Sequence, residues 1–336
     1  MGAAAGFRVF VTGSSIAKQA VDLLVGHDCE YAFGGETDDS AALADRISAF
    51  QPDALIVRKG KVDLRVLQAS QRLKVICKHG VGVDNIDVQA ATGLGIPVLI
   101  TASANFESVA EHTLALLLAL LRMIPAQNEF TRHGDWSKAG YAGEDLSGKT
   151  VGIVGLGRIG RRFTQLLLPF DAAVLGFDPF LPWEQALAGV RRCVRLEDML
   201  PVSDILSIHC PLTPETTGLI GRREFASLKP GAWIVNTARG KIIDESELIQ
   251  ALRRGRVRGA ALDTLEQEPP DPANPLLFME NVILTNHIAG SSREALQRMS
   301  ADAVQLVLEA LRGNYPDRAH LKNPEALKRV PRDPGL

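Results

Sequence analysis

The stretch Lys149 to Asp178 leaves few folds open to this chain. It reads KTVGIVGLGRIGRRFTQLLLPFDAAVLGFD: an apolar run (Thr150 to Val154), three glycines (Gly155, Gly157, Gly160), a helix-like segment, and a second apolar run ending on Asp178. Strand, glycine turn, helix, strand and acid is an order suited to a dinucleotide. Gly155 permits the tight turn, Gly157 lets backbone N–H groups approach a pyrophosphate, and Gly160 lets the helix pack closely on the strand. The helix N-terminus attracts the negative charge. Asp178 falls roughly 20 residues beyond the glycines, where a carboxylate accepts from a ribose diol and repels a 2′-phosphate, so NAD is favoured over NADP. Glycine turns are common, and a bare GxGxxG would say little. The flanking strands, the helix and the acid make this one a dinucleotide site.

The rest of the chain has room for a second domain. At 336 residues, 46% hydrophobic and 23% charged, it has the size and composition of a two-domain globular protein. A net charge of -2 gives no basic footprint for nucleic acid and no polybasic signal for anionic lipid. Cys29, Cys77, Cys193 and Cys210 are scattered without a CxxC pair, which suits reduced thiols. No His/Cys/Asp spacing resembles a metal site, so none is expected. The N-terminus MGAAAGFRVFVTG lacks a charged region followed by an apolar core, and Leu114 to Leu121 is too short to span a bilayer. The expected compartment is the cytoplasm.

Short apolar runs alternate with helix-like segments over the first hundred residues. Strands are expected at Phe7–Val11, Ala54–Val57, Lys74–Cys77 and Pro97–Ile100, with a weaker one near Glu30–Phe33. Helical spacing marks Ala17–Val25, Ser40–Phe50 and Leu64–Ala69. Such alternation implies a parallel sheet covered on both faces. Asn105 or Ser108 then opens a long helical segment to about Gln127, and 134–148 is turn-rich. The long helix has apolar residues on more than one face, so it is expected to bury against both domains or another subunit.

After Thr150 the alternation resumes, with strands at Asp204–Ile208, Ala232–Val235, Gly259–Leu262 and Val282–Thr285. Asp244 with Glu247 and Ser291 with Glu294 look like capping boxes, the second opening a final helix to about Arg312. That helix is expected to return to the first unit. The Pro-, Arg- and Lys-rich tail after Gly313 reads as loose. The expected domains are 1–104 with 291–336, for substrate, and 105–290, for NAD.

In an open parallel sheet, ligands sit outside the carboxyl ends of the strands. The chain places functional groups just after its apolar runs: the glycines, Asp178, His209 and Cys210, Asn236 to Arg239, Asp263 with Glu268 beyond it, and Asn286, His287 and Gly290. A nicotinamide enzyme acting on a 2-hydroxy acid needs a fixed cation, a proton donor, and a group tuning that donor. Arg239 is the natural cation, since a planar guanidinium holds two oxygens in one plane. His287 is the natural acid/base. Glu268 would hydrogen-bond it, favouring its charged form and fixing its tautomer. Asp263 would then be free to accept from the nicotinamide carboxamide.

GLGRIG, HCPLTPETTGLI, NTARGKIIDESEL, ALDTLEQEP and NHIAG together resemble the D-isomer-specific 2-hydroxy acid dehydrogenases. KHGVGVDNID and NFESVAEHTLALLLAL look most like the branch related to D-3-phosphoglycerate dehydrogenase. The resemblance covers about residues 50 to 300. It implies an α/β fold of two Rossmann-like or flavodoxin-like domains, with parallel sheets flanking a cleft, and a homodimer formed largely by the cofactor domains. By the same resemblance Arg239, Glu268 and His287 match the catalytic Arg, Glu and His. Gly155, Gly157, Arg158, Ile159, Gly160, Asp178, Cys210, Thr237, Ala238, Asp263, His287 and Gly290 fall at cofactor contacts. Gly80, Val81 and Gly82 fall where backbone amides meet the substrate carboxylate. Arg58 and Lys78 fall near cations that face a substrate phosphate, although surface charge on loops would explain them equally well.

Two departures stand out. Asn286 replaces the family's usual proline before the histidine, which would loosen that loop. Pro169 near the end of the helix after GLGRIG would terminate it. The chain also stops soon after the final helix, so a regulatory domain and control by serine are not expected. His209 and His79 also follow apolar runs, but neither is expected to be the catalytic acid, and His112 is expected to be a helix contact. Cys210 is expected to offer backbone only, and the run Arg253–Arg258 to be a solvated helix end. The activity expected is NAD-dependent interconversion of a D-2-hydroxy acid and its 2-keto acid, as in a D-3-phosphoglycerate dehydrogenase. The alternatives are a glyoxylate or hydroxypyruvate reductase and, from another class, an NAD-sensing corepressor that binds protein partners.

Overall fold

The computed structural model describes residues 6–37, 39–137, 139–182 and 188–328. The N-terminal alanines and the last residues of the tail, 329–336, lie outside them. The chain divides into two compact units, Met1–Asn105 with Arg293–Leu336, and Phe106–Ser292.

In the first unit, β1 (Arg8–Thr12), β2 (Glu30–Phe33), β3 (Ala54–Val57), β4 (Val75–Lys78) and β5 (Val98–Ile100) form a parallel sheet in the order β2-β1-β3-β4-β5. This is the flavodoxin-like order. Alternate residues serve opposite faces. Val9, Val11, Ile56 and Cys77 pack with Ala303, Val304 and Val307 of helix Arg293–Leu311. Phe10, Leu55, Val57 and Ile76 pack with Leu43, Ile47 and Val66 on the other side. Burial on both faces is why these strands read as continuous apolar runs.

In the second unit, β6 (Thr150–Val154), β7 (Ala173–Phe177), β8 (Val190–Cys193), β9 (Ile205–Ile208), β10 (Ala232–Asn236), β11 (Val257–Leu262) and β12 (Val282–Leu284) form a parallel sheet ordered β12-β11-β10-β9-β6-β7-β8. The order reverses between β6 and β9, the switch point at which Rossmann sheets take their ligands. Helix Phe106–Leu121 and helix Arg158–Leu167 cover one face through Leu117, Leu120, Leu121, Phe163 and Leu167. Phe225, Leu248 and Leu252 cover the other.

Several expectations change. The long helix is two: it stops at Leu121, Met123 turns left-handed (φ 51), and a second helix runs Ile124–Arg132. Pro125 explains the break, because it has no N–H to continue the ladder and restricts the residue before it. No single helix among the described residues is long and apolar enough to cross a membrane. Helices Phe106–Leu121 and Ile124–Arg132 have that length only when taken together, and they are bent by 60°. Strand β8 is unexpected. The tail up to Lys328 is not loose: Asn323 is fully buried, accepts from the Val98 N–H at 2.7 Å, and donates to Ile96 O and Thr92 Oγ1. The basic run 253–258 is not wholly solvated either. Arg256 donates to the Phe225 carbonyl at 3.1 Å, and Arg258 pairs with Glu144 at 2.7 Å while lying over Trp233.

Candidate active site

The glycine turn joins β6 to helix Arg158–Leu167, and its three glycines are there for three different reasons. Gly155 has φ +94, and a Cβ there would lie 2.6 Å from the backbone N of Cys210. At Gly160 a Cβ would lie 2.1 Å from the Gly155 carbonyl oxygen, so helix and strand approach only without one. At Gly157 a Cβ would meet nothing within 4 Å, and φ is an ordinary -69°. Nothing in the protein itself demands glycine at 157. Open space there, at the N-cap of a ten-residue helix, is what a pyrophosphate requires.

Arg158 and Ile159 begin the first helical turn. Asp178 follows β7 and reaches back to the turn, its Oδ2 accepting the Leu156 N–H at 2.9 Å and its Oδ1 that of Phe180 at 3.0 Å. Each oxygen keeps a lone pair for a ribose hydroxyl. Burial pushes the Cys210 thiol up to about 11, so it is no nucleophile at neutral pH. Burial likewise pushes His209 down to about 3, and its Nε2 pairs with Ser207 Oγ at 2.8 Å.

Arg239 stands after β10, where buried Asn236 folds the chain back on itself. The Asn236 side chain accepts the Ala238 N–H and donates to the Arg239 carbonyl, both at 2.9 Å. Thr237 is buried, its hydroxyl 2.8 Å from that of Thr113 on helix Phe106–Leu121. Gly240 comes so near the next loop that a Cβ would be 1.9 Å from Leu265 C. That approach brings Arg239 towards the loop carrying Glu268.

His287 Nδ1 lies 2.7 Å from Glu268 Oε2. An ionised carboxylate only accepts, so Nδ1 is assigned the proton and Nε2 is left for a ligand. Burial pushes the Glu268 carboxyl up, yet the hydrogen bond and charge of His287, the Leu265 N–H and the Arg239 charge together hold it below the usual value. The arrangement can present an imidazole backed by a carboxylate, with a guanidinium charge acting on the same group.

His287 itself has φ 58, a conformation L residues seldom adopt. Asp263 holds it there. The Asp263 carbonyl accepts the His287 N–H at 2.8 Å, Oδ1 accepts from Thr285 Oγ1 at 2.6 Å and Ile288 N at 2.9 Å, and Oδ2 accepts from Ala289 N at 2.9 Å. Asp263 is 1% exposed and both its oxygens are engaged, Oδ1 by two donors and Oδ2 by one, so Oδ2 keeps the lone pair that a carboxamide would need. Asp263 also shapes the 285–289 loop, with Gly290 half-buried beyond. Asn286 is exposed beside it. Nothing in the sequence assigns Asn236, Thr113 and Thr285 these supporting parts. The one signal is a polar residue at the end of a buried apolar run, and Thr113 lacks even that.

The substrate candidates lie on the first unit. Lys78 Nζ donates to Asn85 Oδ1 at 2.8 Å and to the Arg58 carbonyl at 3.5 Å, and the Arg58 guanidinium donates to the Ser15 carbonyl. Burial lowers the pKa of Arg58 from its ordinary value. Gly80 N–H is already given to Thr101 Oγ1 and the Lys78 carbonyl, both at 2.9 Å, which corrects its assignment as a carboxylate donor. Val81 and Gly82 are half-buried. His79 pairs with Ser300 Oγ at 2.9 Å, and burial with the Arg58 charge pushes it down to about 4, leaving it neutral.

Residues 114–289 match the family described as D-isomer specific 2-hydroxyacid dehydrogenase, NAD binding domain. The chain is 45% identical over 244 residues to the D-3-phosphoglycerate dehydrogenase of Archaeoglobus fulgidus, covering 72% of this chain and 46% of that one. It is 40% identical over 282 residues to the glyoxylate reductase of Thermofilum pendens, covering 82% and 83%. Thus the chain spans about half the length of the curated phosphoglycerate dehydrogenases it matches. The crystal structure of the TT0316 protein from Thermus thermophilus superposes with a TM-score of 0.84 at 35% identity, covering 92% of this chain and 98% of that one.

Proposed function

Because this chain belongs to the D-isomer specific 2-hydroxyacid dehydrogenases, we propose that it is an enzyme interconverting a D-2-hydroxy acid and its 2-keto acid with NAD. The observation that carries this reading is the 2.7 Å pair of His287 and Glu268, on the unit that also holds the glycine turn. Bound nicotinamide supplies or takes up the hydride. In the reducing direction His287 Nε2 protonates the carbonyl oxygen, while Glu268 stabilises the imidazolium and fixes the ring. Arg239 holds the substrate carboxylate with its planar fork and balances charge on the reacting oxygen. Gly155, Gly157, Arg158, Ile159, Gly160 and Asp178 form the dinucleotide seat in this reading, with Cys210, Thr237, Ala238 and Gly290 beside it.

A D-3-phosphoglycerate dehydrogenase is the first choice, supported by the identity to such enzymes; in this reading Arg58 and Lys78 would be the cations for a phosphorylated substrate. Glyoxylate or hydroxypyruvate reduction is the second, supported by a glyoxylate reductase that this chain matches over 83% of its length. The deciding experiment offers phosphohydroxypyruvate, hydroxypyruvate and glyoxylate with NADH or NADPH. Loss of NADH absorbance with the first supports the first choice, and with either of the others the second. Silence on a broad keto-acid panel with both cofactors would remove the enzyme and leave an NAD-binding protein acting through partners.

The same reading includes a homodimer in the cytoplasm. Helix Ile124–Arg132 has no buried residue, and Ile124, Phe130 and Trp136 are exposed. Apolar side chains left in water along one segment suit a second copy of the chain. By light scattering, the wild type is expected to run as a dimer and an Ile124→Glu, Phe130→Glu double variant as a monomer. An unchanged mass for the variant would move the interface elsewhere.

A further inference from the structure

Glu245 opens helix Glu245–Arg253, six residues after Arg239. A first-turn acid ordinarily serves the helix dipole, but that end is already capped by Asp244, which accepts the Glu247 N–H at 3.1 Å. Glu245 turns away instead. Its Oε2 accepts the Glu266 N–H at 3.0 Å, and its Oε1 accepts from Asn274 Nδ2 at 2.7 Å. These two donors bracket Glu268 along the chain. Asn274 is itself fixed, its Oδ1 accepting the Leu276 N–H at 3.0 Å. One carboxylate thus ties both arms of the Glu268 loop to the segment bearing Arg239. Gly240, pressed against Leu265, sets the spacing between the two.

We propose that Glu245 is a positioning residue: by holding the 266–274 loop it keeps Glu268 against His287, without itself meeting substrate or cofactor. The consequence for turnover rests on the dehydrogenase reading above. A small displacement of a supporting group is enough to slow catalysis, and Glu245→Ala is expected to lower kcat by about 100-fold. KM and the NADH dissociation constant should stay within about threefold, because uniform binding is untouched. Glu245→Gln keeps one accepting oxygen but turns an NH2 group against the other donor, so it should retain one tie and recover about tenfold of the loss. Hydrogen–deuterium exchange of the peptide spanning 264–270 should quicken in the alanine variant and in no distant peptide.

Should Glu245→Ala fail to fold, Asn274→Ala removes one of the two ties and is expected to give about a tenfold loss of kcat with the same exchange signature. Unchanged kcat in a folded alanine variant would overturn the proposal. So would a fall in kcat with no change in exchange of the 264–270 peptide. If the wild type reduces no keto acid, the dehydrogenase reading has failed. The exchange experiment then still decides whether Glu245 holds the loop.

Discussion

Replacing His287 by alanine is expected to cut keto-acid reduction by about a thousandfold while NADH still binds. A positioned general acid contributes about 10²–10⁴ in rate, and His287 is the group whose outer nitrogen is left for a ligand once Nδ1 is paired with Glu268. Its side chain is 46% exposed, so truncation removes little packing. The glycine turn lies elsewhere on the same sheet edge and keeps its own contacts. The loss should therefore appear in kcat, with the fluorescence titration of NADH nearly unchanged. Turnover surviving at near wild-type rate would take His287 out of the chemistry. His209 and His79 are poor substitutes, since burial keeps both neutral at physiological pH.

A pair of alanine substitutions in the glycine turn should separate folding from cofactor binding. Gly155→Ala forces a side chain onto a φ of +94 and within 2.6 Å of the Cys210 backbone, which cannot yield as a side chain would. Strained backbone costs about 1–3 kcal/mol, and the clash adds to it, so a fall in Tm of about 10 °C is expected. Gly157→Ala meets nothing within 4 Å. Its Tm should match the wild type, while NADH binds at least about tenfold more weakly, a loss of roughly 1.4 kcal/mol. Unaltered NADH affinity in Gly157→Ala would mean that no pyrophosphate rests on this turn.

Most of the architecture was legible because parallel strands buried on both faces are written as unbroken apolar runs. Where that code fails, the sequence misleads. Val190–Cys193 carries two arginines between its apolar ends and does not read as a strand. Apolar spacing continues past Leu121, so the helix break at Met123 was announced only by Pro125. The tail reads as loose by composition, but Asn323 alone makes hydrogen bonds to three residues more than 200 positions away. At the candidate site, Arg239, Glu268 and His287 can be picked out because each follows the end of an apolar run. The posts of Asp263 and the Gly80 amide could not, since their acceptors and donors are remote in the chain and no local pattern names them.

The left-handed backbone at His287 has a consequence for anyone who engineers this protein. Glycine at 287 would relax the chain by about 1 kcal/mol, while histidine stays there only because the Asp263 shelf beneath it holds the bend. A library sorted on expression and heat tolerance alone would enrich glycine at that codon and deliver sturdy, silent proteins. Such a sort has to be gated on NADH consumption from its first round.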